Sequence, residues 1–151
     1  MKVSRQQIDD FFKEKKIAIA GVSRNPRKFG HTVFKELSDK GYEILPVNPN
    51  ADTIEGVTCY KDVTSIPDDV DSMLILTPKE ETDKLLREGI NKGIKNIWVQ
   101  QMSNTEETLR IAEEYEKEII FGKCIFMFAE PVKSIHKFHR SLVKLFGGLP
   151  K

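Results

Sequence analysis

Residues 21–30, GVSRNPRKFG, gather in one short stretch the groups that hold a phosphate. Gly21 lets a backbone approach a ligand where a Cβ would clash. Val22 follows it, and Ser23 offers a hydroxyl. Gly30 falls at the start of a predicted helix, where unpaired N–H groups and the helix dipole favour an anion. Arg24, Arg27 and Lys28 add three positive charges within five residues. Guanidinium groups match phosphate oxygens bidentately. The chemistry expected is binding of a phosphate or pyrophosphate; the bland alternative is a basic surface loop. The spacing is neither GxxxxGK[ST] nor GxGxxG, so the loop is neither a P-loop nor the standard dinucleotide fingerprint.

The elements around this loop follow from the apolar pattern. Residues 16–21 (KIAIAG) are a nearly all-apolar run ending in glycine, which suits a strand buried on both faces. Residues 42–47 (YEILPV), 72–76 (SMLIL), 96–100 (NIWVQ) and 118–121 read the same way. Helical spacing alternates with them. It runs over 4–15 (capped by Ser4), 29–40 (stopped by Gly41), 79–92 (stopped by Gly93) and from a cap at Asn104 or Thr105 to about 116. Residues 51–71 are irregular, with a short strand expected near 57–60. Strands alternating with helices predict an α/β fold, a three-layer, Rossmann-like, doubly wound parallel sheet of about five strands. A mixed α+β sheet is the alternative. The predicted organisation is an N-terminal helix (1–15), a nucleotide-binding domain (16–128) and a C-terminal amphipathic basic helix (129–151).

Such a sheet binds ligands beyond the carboxyl ends of its strands. Besides the 21–24 segment, those ends are Asn48-Pro49, Thr77-Pro78 and Gln100-Gln101. An NAD site wants Asp or Glu after the second strand to accept from the ribose hydroxyls. This chain has Asn48 there, which disfavours NAD. NADP stays open as the alternative cofactor, because Arg24 and Lys28 could meet a 2′-phosphate.

The loop GVSRNPRKFG, the strand and turn ILPVNP (44–49), the strand ending at Thr77-Pro78 and KGIKNIWVQ (92–100) together resemble a known family. It is the small stand-alone CoA-binding domain proteins, related to the N-terminal CoA-binding domain of succinyl-CoA synthetase alpha subunits. The resemblance spans about residues 13–128. It implies coenzyme A, or an acyl-CoA, with its pyrophosphate on Gly21–Arg24. Adenosine would lie near Asn48-Pro49 and Thr77-Pro78, and Gln100-Gln101 would line the crevice. Arg24, Arg27 or Lys28 would meet the 3′-phosphate. Ligase activity does not carry over, because this chain is too short to hold the phosphohistidine domain of that enzyme.

Other candidates weigh less. Cys124 follows the last strand, where a buried, inert thiol outweighs a redox role. His136 and His139 sit three apart on the last helix, but a zinc site needs three or four convergent ligands. Glu80-Glu81 and Glu113-Glu114 read as solvated helix charges with no pocket around them, and Trp98 as core. No Ser or Cys pairs with a base, so no catalytic residue is assigned and no metal is expected. An NADP-dependent oxidoreductase is the enzyme alternative. An interaction protein working through its C-terminal basic helix is the third reading.

Bulk properties fit a small-molecule binder. In 151 residues, 39% are hydrophobic and 31% charged, with a net charge of +1. Near-neutral charge gives no global attraction for nucleic acid or an anionic membrane, so neither is an expected partner. Two cysteines outside any CxxC pair, and no apolar leader, lead to the expectation of a cytoplasmic protein. A homodimer is the candidate assembly.

Overall fold

The apolar run KIAIA becomes β1 (Lys16–Ala20), an interior strand of one parallel sheet in the computed structural model, which describes residues 1–129. The other elements are α1 (Arg5–Lys13), α2 (Phe29–Asp39), β2 (Glu43–Val47), β3 (Thr53–Ile54), β4 (Val57–Thr58), β5 (Ser72–Ile75), α3 (Lys79–Lys92), β6 (Asn96–Gln100), α4 (Glu106–Glu114) and β7 (Ile120–Lys123). A single 3-10 turn, Ile125–Met127, follows. The five-stranded sheet has the order β2-β1-β5-β6-β7, and every neighbouring pair is parallel. This is the α/β, Rossmann-like, doubly wound sheet expected from the apolar runs.

The segment expected as a strand near 57–60 divides in two. Residues 57–58 pair antiparallel with β3 in a tight hairpin. Tyr60 alone joins the main sheet, bridging Val47 in parallel. Its N–H donates to the Pro46 carbonyl at 2.8 Å, and its carbonyl accepts from Asn48 N–H at 2.9 Å. Tyr60 thus marks a sixth position beside β2, which brings the order to that of the dinucleotide-binding fold. The order reverses between β1 and β5, and ligands of such sheets bind above that point.

Side-chain alternation sorts the core into two layers. Ile17, Ile19, Leu74 and Trp98 face α1 and α2, meeting Phe11, Val33 and Leu37. Ala18, Ala20, Met73, Ile75 and Val99 face the other way, meeting Leu86 of α3, Ile111 of α4 and Val63 and Ile66. Trp98 is fully buried, as the sequence suggested, among Phe11, Phe12 and Phe128, with ring centroids 5.2 to 5.8 Å away. Its indole N–H donates to the Lys123 carbonyl at 3.0 Å, so no polar group is stranded.

Caps set the helix limits. Ser4 and Gln7 form a capping box on α1, as do Thr105 and Thr108 on α4. Gly93 takes φ +88°, the left-handed conformation that closes α3. Among the described residues no helix is long and apolar enough to cross a membrane. The expected C-terminal basic helix, with His136 and His139, lies outside the described residues.

Candidate functional site

Two glycines and a self-wired loop build the floor of a cleft over β1, β2 and β5. Gly21 leaves β1 at φ +102°, and a Cβ there would stand 2.9 Å from the Leu76 carbonyl carbon. Gly30 lies in the first turn of α2, where a Cβ would stand 2.1 Å from the Gly21 carbonyl oxygen. The helix therefore rests directly on the β1 turn, an approach that only glycine permits. Between the glycines the loop satisfies itself. Asn25 N–H donates to Ser23 Oγ at 3.1 Å, Arg27 N–H to Asn25 Oδ1 at 3.0 Å and Lys28 N–H to the Asn25 carbonyl at 3.0 Å. Ser23 Oγ only accepts here, which leaves its hydroxyl proton for an anion.

Asn48 ties the tips of β1 and β2 together. Its Nδ2 donates to the Val22 carbonyl at 2.9 Å, and its Oδ1 accepts from Asn50 N–H at 2.8 Å. Thr77 is buried with its hydroxyl 3.3 Å from that of Thr82, and Pro78 stands at the N-cap of α3.

These tips enclose a cleft of about 470 Å³. Its walls include Gly21, Val22, Ser23, Asn48, Pro49, Thr77 and Pro78 among the residues singled out from sequence. Arg24, Arg27 and Lys28 stand exposed on the outer side of the same loop and are not part of the wall. Gly30 supports the wall from behind. Gln100 and Gln101, expected to line the crevice, are not brought to it. Gln100 shares a face with Trp98, two residues before it, and its Oε1 accepts from Ile125 N–H at 3.0 Å. The cleft opens on the opposite face, that of Ala20, Val47 and α3.

Sequence reasoning missed a second wall: Asn50, Lys61, Asp62, Glu80, Glu81, Lys84, Leu85 and Glu88. Glu80 and Glu81 are solvated, as expected, but they do border a pocket. Hydrogen bonds from the Ser65 and Thr64 hydroxyls and the Ser65 N–H hold the Asp62 carboxyl below its ordinary range. The Lys61 ammonium, 2.7 Å from Asp52 Oδ1, does the same for Asp52. Behind the cleft, burial pushes the Cys59 thiol up, so it stays protonated at neutral pH. Cys124 is a free, half-buried thiol.

The site thus has an anion-compatible lip at Gly21–Ser23 and α2, and an acidic lip at α3. Residues 15–130 match the model of the CoA binding domain family, and the chain belongs to that family. The alpha subunit of an ADP-forming acetate–CoA ligase II from Pyrococcus furiosus is 33% identical over 78% of this chain, which spans 28% of that subunit. YneT, an uncharacterised protein of Bacillus subtilis, is 30% identical over 75% of this chain and 84% of its own length. A solved structure, a conserved hypothetical protein from Pyrococcus furiosus, is 42% identical with a TM-score of 0.70. It matches over 73% of this chain and 95% of its own.

Proposed function

Taking membership of the CoA-binding domain family as the premise, we propose that this chain binds coenzyme A, free or acylated, in the cleft over β1, β2 and β5. It acts as a carrier, sensor or regulatory module. The pyrophosphate would sit against Gly21, Val22 and Ser23 and the first-turn amides of α2. Arg24, with Arg27 and Lys28 beside it, would meet the 3′-phosphate. Asn48-Pro49 and Thr77-Pro78 would bracket the adenosine.

One observation carries the reading. Gly21 and Gly30 each stand where a Cβ would strike backbone, at 2.9 and 2.1 Å. Together they bring a helix N-terminus onto the tip of β1, beside three exposed cations, of which Arg24 also acts on the Asp52 carboxylate. A helix N-terminus with nearby cations favours phosphate. No acidic residue awaits a ribose at the end of β2; Asn48 spends its amide on the Val22 carbonyl. No observation favours NADP over CoA.

Calorimetric titration with CoA, acetyl-CoA, NADPH and NADH tests the proposal. The expected result is binding of CoA or acetyl-CoA in preference to both dinucleotides. Arg24→Ala is expected to weaken it about three- to tenfold, the range for one charge-assisted contact at an exposed site. Preference for NADPH, or no binding of CoA, would overturn it.

A further inference from the structure

His31 is the buried titratable group beside the cleft that the binding site, as described, does not use. It lies in the first turns of α2, 5% exposed. Its Nδ1 is 2.8 Å from the Ser23 carbonyl oxygen, and its Nε2 is 3.2 Å from Glu55 Oε1. Both partners are acceptors, and a neutral imidazole has only one N–H. The ring satisfies both contacts only with a proton on each nitrogen.

The partner adds an independent sign. Glu55 and Gly56 form the two-residue turn between β3 and β4, with φ of +51° and +76°. Such turns favour Asn or Asp before Gly, and glutamate at positive φ is strained. Glu55 occupies a place where its backbone is disfavoured and its side chain alone reaches His31. Strain held where a side chain contacts a residue tied to the cleft wall is a reason to look for a role.

We propose that His31 is a positioning residue for the phosphate-binding loop. In its doubly protonated form it clamps the Ser23 carbonyl, on the cleft wall, to the β3–β4 hairpin. The clamp holds the 21–24 turn in its binding geometry and sets a positive charge behind it. It loosens when the ring loses a proton, so ligand affinity follows the protonation of the ring. The inference rests on the CoA-binding reading for its ligand but not for its geometry.

The charged groups on the surrounding elements are of both signs, with Glu55 favouring the protonated ring and the cations opposing it. Glu55 and the Lys61–Asp52 pair belong to the hairpin and its base, Arg24, Arg27 and Lys28 to the loop, and Lys35 and Glu36 to α2. Phe34 adds an apolar neighbour, its ring centroid 6.3 Å away.

The test uses the full chain as wild type, Glu55→Asn and His31→Gln. Glu55→Asn suits the turn and removes the carboxylate, so a folding defect is not expected to obscure it. Ring-nitrogen NMR without ligand should find the doubly protonated ring more populated in wild type than in Glu55→Asn at about pH 7. Calorimetry with dephospho-CoA, whose pyrophosphate diester keeps its charge, should show wild-type affinity tracking the ring protonation read by NMR, roughly three- to tenfold weaker once the ring is neutral. Both variants should be weaker at the acid end and flat across the range. Equal ring protonation in wild type and Glu55→Asn, or three parallel pH profiles, would overturn the clamp. Wild type that binds neither CoA nor dephospho-CoA at any pH would instead overturn the CoA reading, and the NMR comparison would still decide the clamp.

Discussion

Two helix N-termini lie at the cleft, α3 lining it and α2 resting on the Gly21 turn behind its wall, and their surroundings are opposite. The first turn of α2 holds no acidic residue and follows Arg24, Arg27 and Lys28. The first turn of α3 holds Glu80 and Glu81. Both ends carry the same backbone partial charge, but at α3 two carboxylates already meet it. A phosphate approaching α3 would meet like charge; one approaching α2 would meet glycine, a hydroxyl and cations. On the proposed reading, the residues that dress a helix end, rather than the helix dipole, decide which end takes the phosphate.

Substitutions at the two ends can break that comparison. The largest effect is expected from Gly30→Ala. Its methyl would overlap the Gly21 carbonyl oxygen, so α2 must move off β1. A loss of about 3 kcal/mol of stability is expected, at the upper end for overpacking, together with loss of CoA binding. Urea unfolding and calorimetry check both. Next, neutralising Arg24, Arg27 and Lys28 together should weaken CoA more than tenfold while leaving the melting temperature nearly unchanged, since the three are exposed. Glu80→Gln with Glu81→Gln should change CoA affinity by less than about threefold, and upward, because repulsion is removed at the lip the phosphates do not use.

The smallest effect is on the acid limb. Asp52 and Asp62 have carboxyls held below their ordinary range by Lys61 and by Ser65 and Thr64. A lowered folded-state value means stability that is present above the unfolded-state value and lost as pH falls through the folded one. The second wall of the cleft should therefore loosen only below about pH 4. Hydrogen exchange at residues 61–65, slow at pH 5 and faster than the core once the acid transition begins, checks this.

The sheet was legible because its strands are short apolar runs that end in Gly21, Asn48, Thr77-Pro78 and Gln100, and its helices carry their own stops. The loop proposed to hold phosphate stood out because glycine, hydroxyl and cations sit together in ten residues, and Gly21, Val22 and Ser23 of it line the cleft. The second wall was not. Lys61 and Asp62 lie in an irregular segment whose path is set by Tyr60 docking on β2, a long-range pairing without a local signature. Gln100 shows a subtler limit. Its parity with Trp98 was readable, but which face of the sheet carries α3, and so the cleft, was not. His31 has no signal of its own in the sequence, because Ser23 and Glu55, which meet its ring from both sides, are eight and twenty-four residues away.

Amide NMR mapping of the wild-type chain with CoA tests the central claim most directly. The account predicts that the largest shifts fall on the N–H groups of residues 21–24 and 29–31, with smaller ones at 79–82. Largest shifts at the α3 end, or none at either end, would contradict it.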